Sequence, residues 1–474
     1  MADNALIDLT VTQALEGLAR KSFSDLEYVD ALIAQSEKSR DLNAFVSYDW
    51  DALRAAARRY DQGDGVYGRL GGIPLALKDN INTTTLTSAA GTTVLRGFTP
   101  ATNAPVVNAL MAEGALLGGK TNMHELAFGV TTNNGATGAS RNPYNRDYIP
   151  GGSSGGTGVA VAQRIMPAGL GSDTGASVRL PAALCGIFGF RPSMGRYSTK
   201  GVVPCSAIRD TIGPMTRTVE DAVLLDAVIT GEPGPFLPID LKGVRLGVPR
   251  KYFYENLDSE VARIAEGFLD RLAAAGAVLV ETEVENVGAL NAAFSFTICL
   301  YEFAHNMQDF LREQGYRLTL QDLCDGIGSP DVKGVVASQL GSDAISDAAY
   351  REAITVQRPL LLRAYADCFA RSRVEALVFP VSPVPARPIG EDETIELNGK
   401  RVSTIFTYIQ NTDPSSNTGL TAASIPAGLT AQGLPVGMEV DGPSGTDRRI
   451  LGIARSIERL IGTLPKPGAT PRRI

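Results

Sequence analysis

With 474 residues, the chain exceeds the length at which one hydrophobic core usually stops growing, so two small domains and one large continuous α/β domain are both open. Apolar residues make up 44% and charged residues 20%, a balance that predicts a well-packed globule and excludes a disordered chain. The net charge of −7 lacks the basic footprint that nucleic-acid binding needs, and no run approaches the about 18 uninterrupted apolar residues of a membrane span.

The opening Met1-Ala2-Asp3-Asn4-Ala5 has neither the basic nor the apolar region of a signal peptide. Ser24-Asp25-Leu26-Glu27 is a capping box, and apolar residues follow at helical spacing through Leu32 and Ile33. A second helix is predicted after Asp49, through Leu53, Ala56 and Tyr60. Gly71-Gly72 opens a short apolar strand, Ile73 to Leu77, that delivers Lys78 at its carboxyl end. Val106 to Met111 reads as a helix and Ala115-Leu116-Leu117 as a strand. Gly151 to Gly156 reads as a loop, Thr157 to Ile165 as a helix, and Ala168 to Gly171 as a strand. Later, Val244 to Val248 is a predicted strand, and Val261, Ile264, Ala265, Phe268 and Leu272 line one helix face. Gly276 ends that helix before the strand Val278-Leu279-Val280. Such alternation predicts a largely parallel sheet with helices on both faces. Between about 285 and 370 the pattern turns mainly helical, an insertion over the core that serves equally well as a wall for a substrate. The tail Lys466 to Ile474 is expected to fray.

Histidine is the telling scarcity. Only His124 and His305 exist, so any Ser-His-Asp mechanism has to use one of them. Two histidines and five widely spaced cysteines (Cys185, Cys205, Cys299, Cys324, Cys368) do not assemble the usual His-rich zinc site. The cysteines are odd in number and form no CxxC pair, which predicts free thiols in a reducing compartment and a cytoplasmic location.

Three stretches carry chemistry. Gly151-Gly152-Ser153-Ser154-Gly155-Gly156 runs into an apolar helix, placing two hydroxyls and bare N–H groups where negative charge is welcome. It lacks the Lys-[Ser/Thr] ending of a phosphate-binding loop. It also matches a nucleophile elbow centred on Ser154, but the histidine that reading needs could only be His305, inside a predicted helix. Gly171-Ser172-Asp173-Thr174-Gly175-Ala176-Ser177-Val178-Arg179 follows a strand as a small-residue turn, a form that presents successive N–H dipoles to one point, as an oxyanion hole requires. Lys78 at its strand end is either a solvated charge or, if buried, a base, because desolvation lowers a lysine pKa.

Together the three stretches resemble the amidase signature family, through Gly71-Gly72-Ile73-Pro74-Leu75-Ala76-Leu77-Lys78, the 151–156 loop and Asp173 to Ser177. The interval from Ser153 to Ser177 is one the family keeps, and Pro181 to Gly186 and Gly433 to Gly437 also look like its blocks. Thr121-Asn122-Met123-His124-Glu125-Leu126-Ala127-Phe128-Gly129, Gly175 to Pro181, Phe188-Gly189-Phe190-Arg191-Pro192, Arg209-Asp210-Thr211 and Asn411-Thr412-Asp413-Pro414-Ser415-Ser416-Asn417 are similar to the indoleacetamide hydrolase branch. The resemblance implies a single α/β/α domain over 1–474, a mixed, largely parallel central sheet covered by helices, with the 1–65 helices packed on it. It implies a Ser-cisSer-Lys triad: Ser177 as nucleophile, Ser153 as bridging serine after a cis peptide bond, and a neutral Lys78 as terminal base. Backbone N–H groups of Thr174, Gly175, Ala176 and Ser177 would form the oxyanion hole, with Ser154 in support and Asp173 and Arg179 paired to brace the turn. Much of the family has glycine at the position of Ala176, so a turn needing φ > 0 would be altered here.

The activity implied is hydrolysis of an aryl or arylalkyl primary amide, such as indole-3-acetamide, to acid and ammonia, which from that amide yields an auxin. Phe128 and Ile212 are the candidate pocket residues, and His124 is expected to be structural. No cofactor and no metal is expected, and the expected partner is a small-molecule amide, with no nucleic acid, no membrane, and a homodimer left open. Rival readings are a hydrolase of anilides, carbamates or ureas, an amidotransferase subunit, and a non-catalytic binding protein on the same scaffold.

Overall fold

The computed structural model describes residues 3–233 and 238–468, so the end of the tail, 469–474, lies outside the described residues. Eleven of its strands pair into one sheet: β1 (Phe45–Ser47), β2 (Pro74–Lys78), β3 (Leu116–Thr121), β4 (Ala168–Asp173), β5 (Phe188–Arg191), β6 (Thr211–Thr216), β7 (Arg245–Val248), β8 (Val278–Glu281), β9 (Ala376–Pro380), β10 (Thr421–Leu429) and β11 (Pro435–Gly442). Their order is β1-β3-β2-β4-β6-β5-β10-β11-β9-β7-β8. The sheet is mixed. β2 runs parallel to β3 and β4, and β7 runs parallel to β8 and β9. The strand–helix alternation marks five of these strands, β2, β3, β4, β7 and β8, and passes over β9.

Antiparallel ladders through β6, β5, β10 and β11 join the two parallel blocks. Sequence pattern passes over these four because glycine, proline and alanine weaken their strand signal. Tertiary pairing overrides that weakness. Pro426 in β10 sits at a register irregularity, one of the few places a sheet accepts proline.

Local signals set the helices. Ser24 Oγ accepts from Glu27 N (3.1 Å) while Ser24 N donates to the Glu27 carboxylate (2.7 Å), and the helix Asp25–Lys38 buries Tyr28, Val29, Leu32 and Ile33. Asp49 caps Trp50–Asp61 by accepting from Ala52 N at 2.9 Å. Alternation along β11 serves both faces of the sheet. Met438 and Val440 join the apolar layer under the helices Ser259–Ala274 and Asp447–Ile461. Gly437 turns the other way, toward Ala183 in the helix Arg179–Leu184.

The stretch from Val287 to Ser372 is helical among its described elements. Its longest helix, Ser295–Glu313, buries Ile298, Cys299, Phe303, Met307, Phe310 and Leu311, a stripe at helical spacing. Several of these pack with Leu95, Met123, Leu126 and Phe128, which brings the insertion over the loops at the strand ends. Val287–Glu313 is long and apolar enough to cross a bilayer, and half of that window is buried inside the protein.

Candidate active site

β2 is buried along its whole length between β3 and β4, so its last residue is delivered into the interior. The Lys78 side chain is fully buried. Its Nζ lies 2.7 Å from Ser153 Oγ, 2.8 Å from Ser172 Oγ and 3.2 Å from the Ser172 carbonyl. Asn80 Nδ2 donates to Ser172 Oγ at 3.0 Å and holds that hydroxyl in place. Burial pulls the Lys78 pKa down from 10.5 to about 7, against the carboxylates of Asp173 and Asp210, which favour the ammonium. The amine is therefore neutral for a large part of the time near pH 7, with a lone pair able to accept a proton from Ser153.

The 151–156 loop enters the helix Gly155–Ala162, and the Gly152–Ser153 peptide bond is cis. Gly151 has φ +82°, and a Cβ there would press on the Pro181 backbone at 3.0 Å, so both conformation and space call for glycine. Ser153 is fully buried, and its carbonyl accepts from His124 N at 3.0 Å. Ser154 Oγ donates to the Ser172 carbonyl (3.2 Å), and Ser154 N donates to the Ser177 carbonyl (3.3 Å), tying the two loops together. That settles the elbow alternative: the Ser154 hydroxyl is held by backbone, while His305 lies exposed on Ser295–Glu313 with Nδ1 2.8 Å from the Tyr301 carbonyl.

Beyond β4 the turn 174–177 faces a pocket, and all four of its residues line it. Among the described residues, the N–H groups of Gly175, Ala176 and Ser177 are given to no acceptor, and the Ser177 hydroxyl makes no hydrogen bond. Ala176 corrects an expectation. It is absent from the left-handed region, so its methyl adds no strain and packs in a cluster with Val130, Leu180 and Leu184.

The turn is held from behind by charge. Arg179 and Asp173 are both fully buried and pair twice, Nε to Oδ2 and Nη2 to Oδ1, each at 3.0 Å. Arg191 adds a contact to Asp173 Oδ1 at 2.9 Å. Burial alone would raise the Asp173 carboxyl; the Arg179 and Arg191 charges outweigh it and hold the group below the usual carboxylate range. Asp173 Oδ2 also accepts from Val178 N (3.1 Å), closing the turn on itself. Arg179 reaches on to Thr412 O (3.0 Å), Ser415 Oγ (2.8 Å), Ser416 Oγ (2.7 Å) and Glu439.

Several residues around the site carried no role in the sequence reading. Besides Ser172, Asn80 and Arg191, they include Asp210, which accepts from Thr174 Oγ1 at 2.6 Å, and Arg209, which donates to the Thr174 carbonyl at 3.1 Å and pairs with Asp413. Ser172, Arg191, Arg209, Asp210 and Asp413 lie inside the quoted stretches, so the stretches themselves were the signal; Asn80 only flanks Lys78.

The pocket wall is mostly apolar, with Phe128, Val130, Phe296, Cys299, Ile405 and Ile409 around Ser177. Phe128 meets Phe303 edge-on, ring centroids 4.6 Å apart. A second cavity, lined by Tyr252, Gly288 and Phe406, shares Phe296 and Ile409 with the first. Ile212, the other expected pocket residue, is not there. It is fully buried on β6 opposite Ser172, and its side chain belongs to the core with Leu77 and Leu170. His124 is buried away from the pocket, its Nδ1 accepting from Thr132 N (3.2 Å) and its Nε2 3.1 Å from Asp331. Among the described residues, no three His, Cys, Asp or Glu side chains are grouped so as to hold a metal ion.

The amidase family model matches residues 27–451. An indoleacetamide hydrolase of Rhizobium radiobacter is 45% identical over 453 residues, covering 96% of this chain and 97% of that one. A mandelamide hydrolase of Pseudomonas putida is 36% identical, with 98% and 93% covered. A crystal structure of an amidase superposes with a TM-score of 0.85 at 32% identity, covering 96% of this chain and all of the other. Sequence and fold agree over nearly the whole length, and the chain belongs to the amidase family as an amidohydrolase.

Proposed function

We propose that this amidase hydrolyses an aryl or arylalkyl primary amide of the indole-3-acetamide kind to the carboxylic acid and ammonia, through an acyl-enzyme on Ser177. Ser177 Oγ attacks the amide carbonyl while its proton passes to Ser153 Oγ, whose own proton goes to Lys78 Nζ. The developing oxyanion meets the N–H groups of Thr174, Gly175, Ala176 and Ser177; one such preorganised donor is worth about 3 kcal/mol in comparable sites. Lys78, now an ammonium, returns the proton by the same route to the departing nitrogen, and ammonia leaves. Water then enters, loses its proton along the relay and attacks the acyl carbon, restoring the Ser177 hydroxyl. Ser154 ties the two loops, and Asp173 with Arg179 holds the turn in shape.

One observation carries this reading: the buried Lys78 amine, its pKa depressed to about 7, stands 2.7 Å from Ser153 Oγ. The apolar pocket favours an aromatic acyl group. The relatives' names support the class, because indoleacetamide and mandelamide are both primary amides carrying an aromatic ring.

Product release by the purified chain tests it, read as ammonia from indole-3-acetamide, phenylacetamide and benzamide, and as the free aniline from an anilide. The arylalkyl primary amides are expected to turn over best. A preference for the anilide would favour the rival hydrolase class, and no ammonia from any free amide would favour an amidotransferase subunit.

A further inference from the structure

Behind the turn lies a group of buried carboxyls that the reaction does not use. Glu439 and Asp441 stand two apart on β11 and share one face, and both are fully buried. Side chains two apart on a strand are neighbours on one side of it, so the two carboxyls face the same dry interior, where a pair of ionised carboxylates would repel and a hydrogen bond between them requires one to be protonated. Among the described residues, Glu439 Oε2 and both Asp441 oxygens accept from no donor, although the other Glu439 oxygen is held by Arg179. Charge leads to the same point. Asp173, Glu439 and Asp441 make three carboxyls, and the guanidiniums held among them are two, Arg179 and Arg191. A third buried anion with no partner would be costly, and a proton removes it.

We propose that Glu439 and Asp441 hold a single proton between them, and that they are positioning residues for the 173–178 turn, acting through Arg179. The proton sits on Asp441 and is donated to Glu439 Oε2. Glu439 is then left with one negative charge for Arg179, and Arg179 is free to grip Asp173 and the Gly175 carbonyl (3.2 Å). Loss of that proton would place a second anion beside Arg179 and draw its fork away from the turn.

The surroundings agree. β10 places Ser424 opposite Glu439, while Ser415 on the helix Asp413–Thr418 and Tyr365 on the helix Arg358–Ser372 are the other hydroxyls whose electrostatics bear on Asp441. Among the described residues, the Tyr365 and Ser424 hydroxyls are buried and have no partner, and Arg179 is the one cation that offsets negative charge on this face of β11. Burial, and then the neighbouring Glu439, raise the Asp441 carboxyl well above its ordinary range.

The proposal rests on the turn being the oxyanion site, but its first test does not. Infrared spectra of the full chain at pH 9 should contain the C=O stretch of a protonated carboxyl, lost in Asp441→Asn or Glu439→Gln. No such band in the wild type, or a band unmoved by both substitutions, overturns the shared proton. The second test is kinetic. Asn keeps an N–H donor toward Glu439, so Asp441→Asn should hold kcat within about threefold of wild type, the scale of one neutral hydrogen bond. Asp441→Ala should lower kcat by about tenfold or more with KM little changed, because the turn acts on the transition state. Equal losses in the Asn and Ala variants, with the band present, would leave the proton in place and overturn the positioning role.

Discussion

Lys78 is where burial converts most directly into rate. The drop in its pKa from 10.5 to about 7 corresponds to roughly 5 kcal/mol against the charged form. An ordinary lysine would be neutral in about 0.03% of molecules at pH 7, whereas this one is neutral in about half, so burial supplies over a thousandfold more base. The rate constant kcat/KM for ammonia release, measured from pH 5 to 9 at constant ionic strength, should therefore plateau above about pH 8. It should fall tenfold per unit below pH 7, reaching about one hundredth at pH 5. Stability should carry the same signature. The folded-state pKa lies below the unfolded value, so between about pH 7 and 10.5 the unfolded chain binds more protons, and wild-type stability rises with pH across that window. Lys78→Met removes this slope; relative to wild type it should gain about 2–3 kcal/mol of unfolding free energy between pH 9 and pH 6. A flat rate profile from pH 5 to 9, together with an unchanged pH slope in the Met variant, would refute a buried neutral amine.

Three other substitutions separate the remaining roles. Ser177→Ala should abolish the acyl-enzyme, seen as loss of the acyl mass adduct on mixing with substrate, whereas Ser153→Ala should keep the nucleophile and lower kcat by about 10²–10⁴-fold, the usual worth of a proton-transfer group; an adduct persisting in Ser177→Ala would reassign the nucleophile. Phe296→Ala should join the pocket to the cavity behind it, shifting the kcat/KM ratio toward a longer arylalkyl amide by about tenfold; an unchanged ratio would show that Phe296 does not set acyl length.

Local order was legible from residue types alone, because its causes are local. The Ser24 capping box and the Asp49 cap need only a few neighbouring residues, and both helices start where the pattern places them. A glycine-flanked apolar run ending in Lys78 specifies a strand that carries an amine at its end, and the structure moves its bounds by one residue, to Pro74–Lys78. Distant pairing decided the rest. The central antiparallel strands β5, β6, β10 and β11 have weak patterns and exist because flanking strands supply their ladders. Ile212 looks available to a pocket in one dimension, yet period-two geometry on β6 sends it to the core. Whether Lys78 would be a solvated charge or a base could not be read from its neighbours in sequence, since the groups that surround it, Ser153 and Ser172, come from a loop and a strand far along the chain. Residue types named the chemistry available to this protein. Tertiary burial chose among its forms, because the energy of a charge depends on the water excluded around it and the partners folded against it.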